Sequence, residues 1–207
     1  MRHRFLTLIA MTLAIVTTAC GQTVPSQREK HTDNKGQSQR KALVVFFSHA
    51  GDNYAVGNIK VGNTKVVADY ITEITGADQF EIKTSKYDGM AYKPLCDLAR
   101  EEKTKGELPE YEGSIDLSGY EIVYVGGPVW WGTYPQVMFT FFKNNDILGS
   151  KTIIPFTTHE GSGLGSCVED LKQLFPKATF KEAFSIYGHD VRDGKSDVEK
   201  WLKKVNN

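Results

Sequence analysis

No sign of charge dominates this sequence: 25 lysine and arginine residues are matched by 25 aspartate and glutamate residues across 207 positions. That balance excludes the basic footprint of a nucleic-acid binder and any acidic tail. Cysteine is scarce, with only three. Cys96 and Cys167 read as two unpaired small hydrophobes rather than as part of a disulfide framework. The histidines His31, His49, His159 and His189 are too scattered for a zinc site. There is no internal repeat, no low-complexity tract, no catalytic triad and no evident carboxylate pair. No apolar run reaches the roughly 20 residues of a comfortable bilayer span.

The longest apolar stretch, Phe5 to Val16, follows the basic residues Arg2 and Arg4 and precedes small residues that end at Cys20. This is the layout of an export signal. The ending Thr18-Ala19-Cys20-Gly21 resembles a bacterial lipoprotein signal, although Thr17 stands where Leu, Val or Ile is expected. On that resemblance residues 1–19 are a signal peptide, Cys20 carries the lipid, and the protein belongs in the bacterial cell envelope. Residues 20–40 follow as a polar tether too poor in apolar side chains to fold.

From residue 41 to 207 strand and helix signals alternate. "KALVVFF" is a continuous apolar run of the kind buried on both faces of a sheet. "NTKVVADYITEITG" spaces Val66, Val67, Tyr70, Ile71 and Ile74 as a helix and stops at Gly76. Four more strands are expected in "DQFEIK", "YEIVYVGG", "KTIIPFTT" and "TFKEAFSIYG". Helices are expected around Leu95 to Lys103, in "QVMFTFFKNN", in "CVEDLKQLF" and in "KSDVEKWLKKV". Five strands alternating with five helices make an α/β domain on a parallel sheet.

Ligands of such sheets bind beyond the carboxyl ends of the strands, where strand order reverses. Three of those ends are specialised. After the first strand comes "SHAGDNYAVGNIKVGNT", whose hydroxyls, glycines and helix-start amides suit an anion. It lacks both the Gly-Lys-Ser/Thr ending of a triphosphatase loop and an in-register GxGxxG, so a monophosphate fits best. After the third strand, Trp130 and Trp131 lie between Pro128 and Gly132. Adjacent tryptophans cannot both enter one core, and a flat heterocycle can use one as a wall. After the fourth strand, His159, Glu160 and Ser162 are interleaved with Gly161, Gly163 and Gly165, which lets main-chain amides approach a ligand edge.

Together "LVVFFS" with its Ser/Gly/Asn/Thr loop, "GGPVWWGTYP" and "PFTTHEGSG" resemble the flavodoxin family over about Lys41 to Val205. The resemblance implies a three-layer α/β/α sandwich, a five-stranded parallel sheet of order 2-1-3-4-5, and FMN as cofactor. By position, Ser48, His49, Ala50, Asn63 and Thr64 would hold the phosphate. Pro128, Val129, Trp130, Trp131 and Gly132 would line one side of the isoalloxazine, and Thr158, His159, Glu160, Gly161, Ser162 and Gly163 the other side and the pyrimidine edge. Residues 52–61 look like an insertion that splits the phosphate loop, with Asn53 and Tyr54 folding over the cofactor or its mouth.

The implied function is FMN-based electron transfer, with a redox partner protein or a membrane quinone as partner, and membrane attachment through the lipid alone. An FMN-dependent NAD(P)H or quinone oxidoreductase, and a binding module that has lost its flavin, are the competing readings. Two features differ from many electron-carrying flavodoxins. The fourth-strand loop offers His159 instead of an aromatic wall, and the chain is not strongly acidic.

Overall fold

The computed structural model describes residues 41–206; the signal, Cys20 and the tether lie outside the described residues. Residues Leu43 to Phe46 are all fully buried, so β1 (Ala42–Phe46) takes the centre of the sheet. Its side chains alternate between two apolar layers: Leu43, Val45 and Phe47 enter one, Val44 and Phe46 the other. β4 (Asp78–Glu81) and β5 (Ile122–Pro128) flank β1 in parallel, and β6 (Thr152–His159) pairs with β5. Helices α1 (Asn63–Thr75) and α5 (Lys195–Val205) cover the Val44/Phe46 face. Helices α2 (Tyr92–Lys105), α3 (Gln136–Asn144) and α4 (Cys167–Leu174) cover the other. This is the expected three-layer sandwich.

The order β4-β1-β5-β6, completed by β7 (Thr179–Phe180), has the expected topology. The strand count differs, because the expected fifth strand is two pieces, β7 and β8 (Phe184–Tyr187), each parallel to β6. Between them the carbonyl of Glu182 accepts a hydrogen bond from Trp201 Nε1 of α5 at 2.9 Å. The register against β6 shifts by one residue between the pieces, from Ile153 opposite Phe180 to Phe156 opposite Phe184, and the extra residue interrupts the ladder. A second difference lies between β1 and α1. Residues read there as a loop form an antiparallel hairpin, β2 (Gly51–Asn53) with β3 (Gly57–Ile59), closed by Asn58 Nδ2 donating to Asp52 Oδ1 at 2.7 Å.

Cys96 and Cys167 are free thiols, Cys96 half-buried and Cys167 buried, so their reading as unpaired residues agrees with the structure. No helix among the described residues is long and apolar enough to cross a membrane.

Candidate functional site

A cavity of about 380 Å³ opens beyond the carboxyl ends of β1, β5 and β6, at the reversal of strand order where such sheets take ligands. One end is built by the start of α1. Its N-cap is Gly62, which has no side chain to cap with. Ser48, fourteen residues earlier, caps the helix in its place, with its Oγ accepting the N–H of Lys65 at 3.0 Å. Among the described residues the N–H groups of Asn63 and Thr64 donate to no protein acceptor. Two orphan donors at the positive end of a thirteen-residue helix make this end anion-seeking. The hydroxyls of Thr64 and Thr158, 2.8 Å apart, tie α1 to the end of β6 and line the same end.

The glycine at the cap is required by space. A Cβ on Gly62 would stand 2.2 Å from Ser48 Oγ and 2.6 Å from the carbonyl oxygen of His49. Ser48 and Ala50 do not line this cavity; they face a second hollow of about 350 Å³ between β1 and β4. Ser48 reaches the anion end as the cap of α1, and Ala50 faces the second hollow.

His49 lines both hollows. Its ring lies edge-on to Trp130, with centroids 5.9 Å apart, and burial lowers its pKa against the opposing pull of Asp88 and Asp52. It is a neutral imidazole whose buried Nε2 meets no protein partner. Asn53 folds back onto the backbone, its amide donating to the Gly51 carbonyl at 3.0 Å, which steadies the hairpin above His49. At the hairpin tip Tyr54 is 61% exposed and stacks on Tyr92 of α2, centroids 5.9 Å apart at 28°.

The two tryptophans are divided. Trp130 packs edge-on against Phe47, Tyr87 and His49 at 5.3 to 5.9 Å and joins the apolar layer beneath. Trp131 is 47% exposed. Reciprocal backbone hydrogen bonds between Trp130 and Thr133 close a tight turn whose central residues, Trp131 and Gly132, have φ of 52° and 85°. Two positive φ values mark a type I′ turn, which favours Asn and Gly. A bulky side chain held there is strained, and such outliers gather at functional positions. Cys96 O accepts the indole N–H of Trp131 at 2.9 Å, Arg100 lies 5.3 Å from its ring centre, and Lys103 Nζ donates to its carbonyl at 2.6 Å. All three come from α2.

Pro128, Val129, Gly132, Thr158, His159, Glu160 and Ser162 line the cavity, with Thr158 and Glu160 near the start of α1, whereas Gly161 and Gly163 are not among its lining residues. Gly161 instead positions His159: its N–H donates to Nδ1 at 2.9 Å. With Nδ1 accepting and burial lowering the pKa, His159 is neutral and carries its proton on Nε2. Gly163 gives its carbonyl to Thr157 Oγ1 at 3.0 Å and shapes the loop from outside.

The α2 wall was missed: Tyr92, Leu95, Cys96 and Ala99 line the cavity. Their spacing, i, i+3, i+4 and i+7, is a one-face helical pattern and was the available signal. Gly188, in the loop after β8, is the other missed element. Behind Trp130, Tyr87 OH donates to Glu102 Oε2 at 2.9 Å. Lys86 Nζ lies 2.7 Å from Oε1 of this fully buried carboxylate, off the hydrogen-bonding direction. Tyr87→Phe leaves Glu102 short of its directed partner and is expected to cost about 1–3 kcal/mol in chemical denaturation; an unchanged midpoint would show that Lys86 suffices.

Among solved structures, similarity is found to a flavoprotein in complex with FMN from Lactobacillus acidophilus NCFM (22% identity, TM-score 0.57, covering 78% of this chain and 98% of that one). A protein provisionally described as a flavoprotein from Bacteroides eggerthii DSM 20697 is alike to a similar degree (23%, 0.60, 81% and 99%). A counterpart from Bacteroides uniformis ATCC 8492, described in the same way, gives 22%, 0.60, 79% and 98%. Among curated proteins there is no match. The family profile described as Flavodoxin spans residues 41–205, the whole of the sandwich and its three loops; the chain belongs to the flavodoxin family.

Proposed function

We propose that this protein binds FMN and passes electrons, at a membrane to which lipid on Cys20 holds it after export. The observation that carries the reading is the two-ended cavity. Orphan helix-start amides with the Thr64 and Thr158 hydroxyls stand at one end, and exposed aromatic rings at the other. That donor set suits a phosphate joined to a flat heterocycle. The Gly62 cradle, too tight for any Cβ, and the orphaned His49 Nε2 fit the same ligand. The flavodoxin family and the FMN-bound relative support FMN as the cofactor.

FMN supplies one- and two-electron transfer; the protein supplies binding, orientation and access. Asn63 and Thr64 orient the phosphate through their N–H groups. His159 holds a proton on Nε2 in the cavity wall, where it can donate to a bound ligand. Tyr54 and Tyr92 wall the side toward the hairpin. Tyr54, Tyr92 and Trp131, all exposed, line the cavity, and aromatic rims of this kind suit transient contact with a redox partner protein or a membrane quinone.

Purified protein given FMN is expected to turn yellow, quench flavin fluorescence and accept electrons reversibly from dithionite. Steady oxidation of NAD(P)H with a quinone present would replace the carrier by an oxidoreductase, and failure to retain any flavin would leave only a binding module. The membrane part has its own test. Cys20→Ala is expected to move the protein from the membrane to the soluble fraction, and equal partitioning of both forms would remove the lipid anchor.

A further inference from the structure

Among the described residues no lysine or arginine lines the cavity, and the two formally negative lining residues are Asp52 and Glu160. Glu160 sits on the loop after β6, with its side chain only 14% exposed. The anion end is close. A Cβ on Gly188 would stand 2.3 Å from Asn63 Nδ2 and 2.7 Å from Glu160 Oε1, so the start of α1, the β6 loop and the β8 loop converge on that glycine. A carboxylate packed beside Asn63 opposes the entry of a phosphate.

One cationic partner answers it. The backbone N–H of His189 donates to Glu160 Oε1 at 3.0 Å, and His189 Nδ1 lies 2.6 Å from Oε2. The His189 side chain is 52% exposed, so protons reach it freely. The other groups facing the pair are Asp190, 3.8 Å from His189 Nε2, the Tyr187 ring at 5.1 Å, and neutral His159, whose ring lies tilted against Tyr187 with centroids 4.5 Å apart. Neighbouring cations are engaged elsewhere: Arg192 with the Val61 carbonyl and Lys195 with Glu73.

We propose that His189, acting through Glu160, sets how strongly the cavity prefers a phosphorylated flavin over an unphosphorylated one. Protonated, it cancels the carboxylate and the phosphate enters beside a neutral pair. Deprotonated, it can still donate from Nδ1 but leaves one negative charge at the anion end. The bond to Glu160 raises the His189 pKa above its ordinary 6.5, so the compensated state extends to higher pH than a free imidazole would hold it and is lost as pH rises through that raised value. His189 is thus a positioning residue for charge, and its role rests on the FMN reading above.

The experiment measures FMN and riboflavin affinity by fluorescence quenching for the full chain, Glu160→Gln and His189→Gln, from about pH 6 to pH 9 at low ionic strength. The phosphate's own ionisation near pH 6 is common to all three and cancels when they are compared at each pH. In the wild type the FMN-over-riboflavin preference is expected to fall about five- to tenfold relative to Glu160→Gln as pH rises. His189→Gln is expected to show the wild type's alkaline preference already at the acid end. A single pH profile shared by all three forms, or a lower preference in Glu160→Gln, would overturn the proposal while leaving FMN binding intact. Absence of flavin binding by the wild type overturns the FMN reading and this proposal with it.

Discussion

Gly62→Ala is expected to weaken FMN about a hundredfold or more while weakening riboflavin far less. The backbone of Gly62, with φ −63° and ψ 148°, is one any residue can adopt, so strain in φ is not the cause. Space is. The new methyl would lie 2.2 Å from Ser48 Oγ and 2.6 Å from the His49 carbonyl oxygen, and the latter is backbone that cannot rotate away. The first turn of α1 must retreat, which breaks the Ser48 cap on Lys65 and carries the Asn63 and Thr64 N–H groups away from Thr158. Each hydrogen bond to a charged phosphate contributes about 1.5–3 kcal/mol, so losing two gives at least the hundredfold. Overpacking adds about 1–3 kcal/mol of destabilisation, and affinities are therefore compared on protein shown by circular dichroism to be folded. Riboflavin, which has no phosphate, is the internal control. Equal losses for both flavins would place the phosphate somewhere other than the start of α1.

This helix start also shows how far sequence reasoning reached and where it stopped. The sandwich was legible because its signals are local: β1 is an unbroken apolar run and α5 carries Val198, Trp201, Leu202 and Val205 on one side, all buried. The ends of the three loops were legible from composition. The roles within them depend on long-range geometry that composition does not encode. That the Ser48 hydroxyl also caps α1 by accepting the N–H of Lys65, seventeen residues away, is visible only in the structure. The hairpin β2–β3 was hidden because its strands are three residues each and carry no alternating apolar pattern. The break between β7 and β8 is a one-residue shift of register against β6, which the local pattern does not signal. The α2 wall was readable in principle from its spacing. Its polar remainder, with Lys93, Asp97, Arg100 and Glu101 engaged in surface ion pairs, masks that stripe.

Substitution of the two adjacent tryptophans is expected to separate stability from flavin binding. Trp130 is edge-on to three rings and sits on the apolar layer. Truncating a buried tryptophan to alanine costs about 3–5 kcal/mol, and partial burial here places Trp130→Ala below that range, at about 2–3 kcal/mol. Trp131 is the opposite case. Its left-handed backbone, φ 52°, costs a bulky residue about 1–2 kcal/mol that asparagine does not incur. Trp131→Asn gives up the bond to the Cys96 carbonyl and the Arg100 contact, about 0.5–1.5 and 0.5–1 kcal/mol. Gain and loss offset, so thermal unfolding of the flavin-free protein is expected within about 1 kcal/mol of wild type. Flavin binding is where Trp131→Asn should register. Losing a stacking indole forfeits about 0.5–1.5 kcal/mol beyond the buried area, roughly a tenfold loss or more in affinity for FMN and riboflavin alike. The reduction potential of bound FMN should rise as well, because an electron-rich indole stacks less well on an electron-rich reduced ring and so opposes reduction. Calorimetry of both variants without flavin, followed by flavin titration and potentiometry, tests the division. A Trp131→Asn protein that binds flavin normally, beside a Trp130→Ala protein that is stable but flavin-poor, would exchange the two roles and leave the strained turn unexplained.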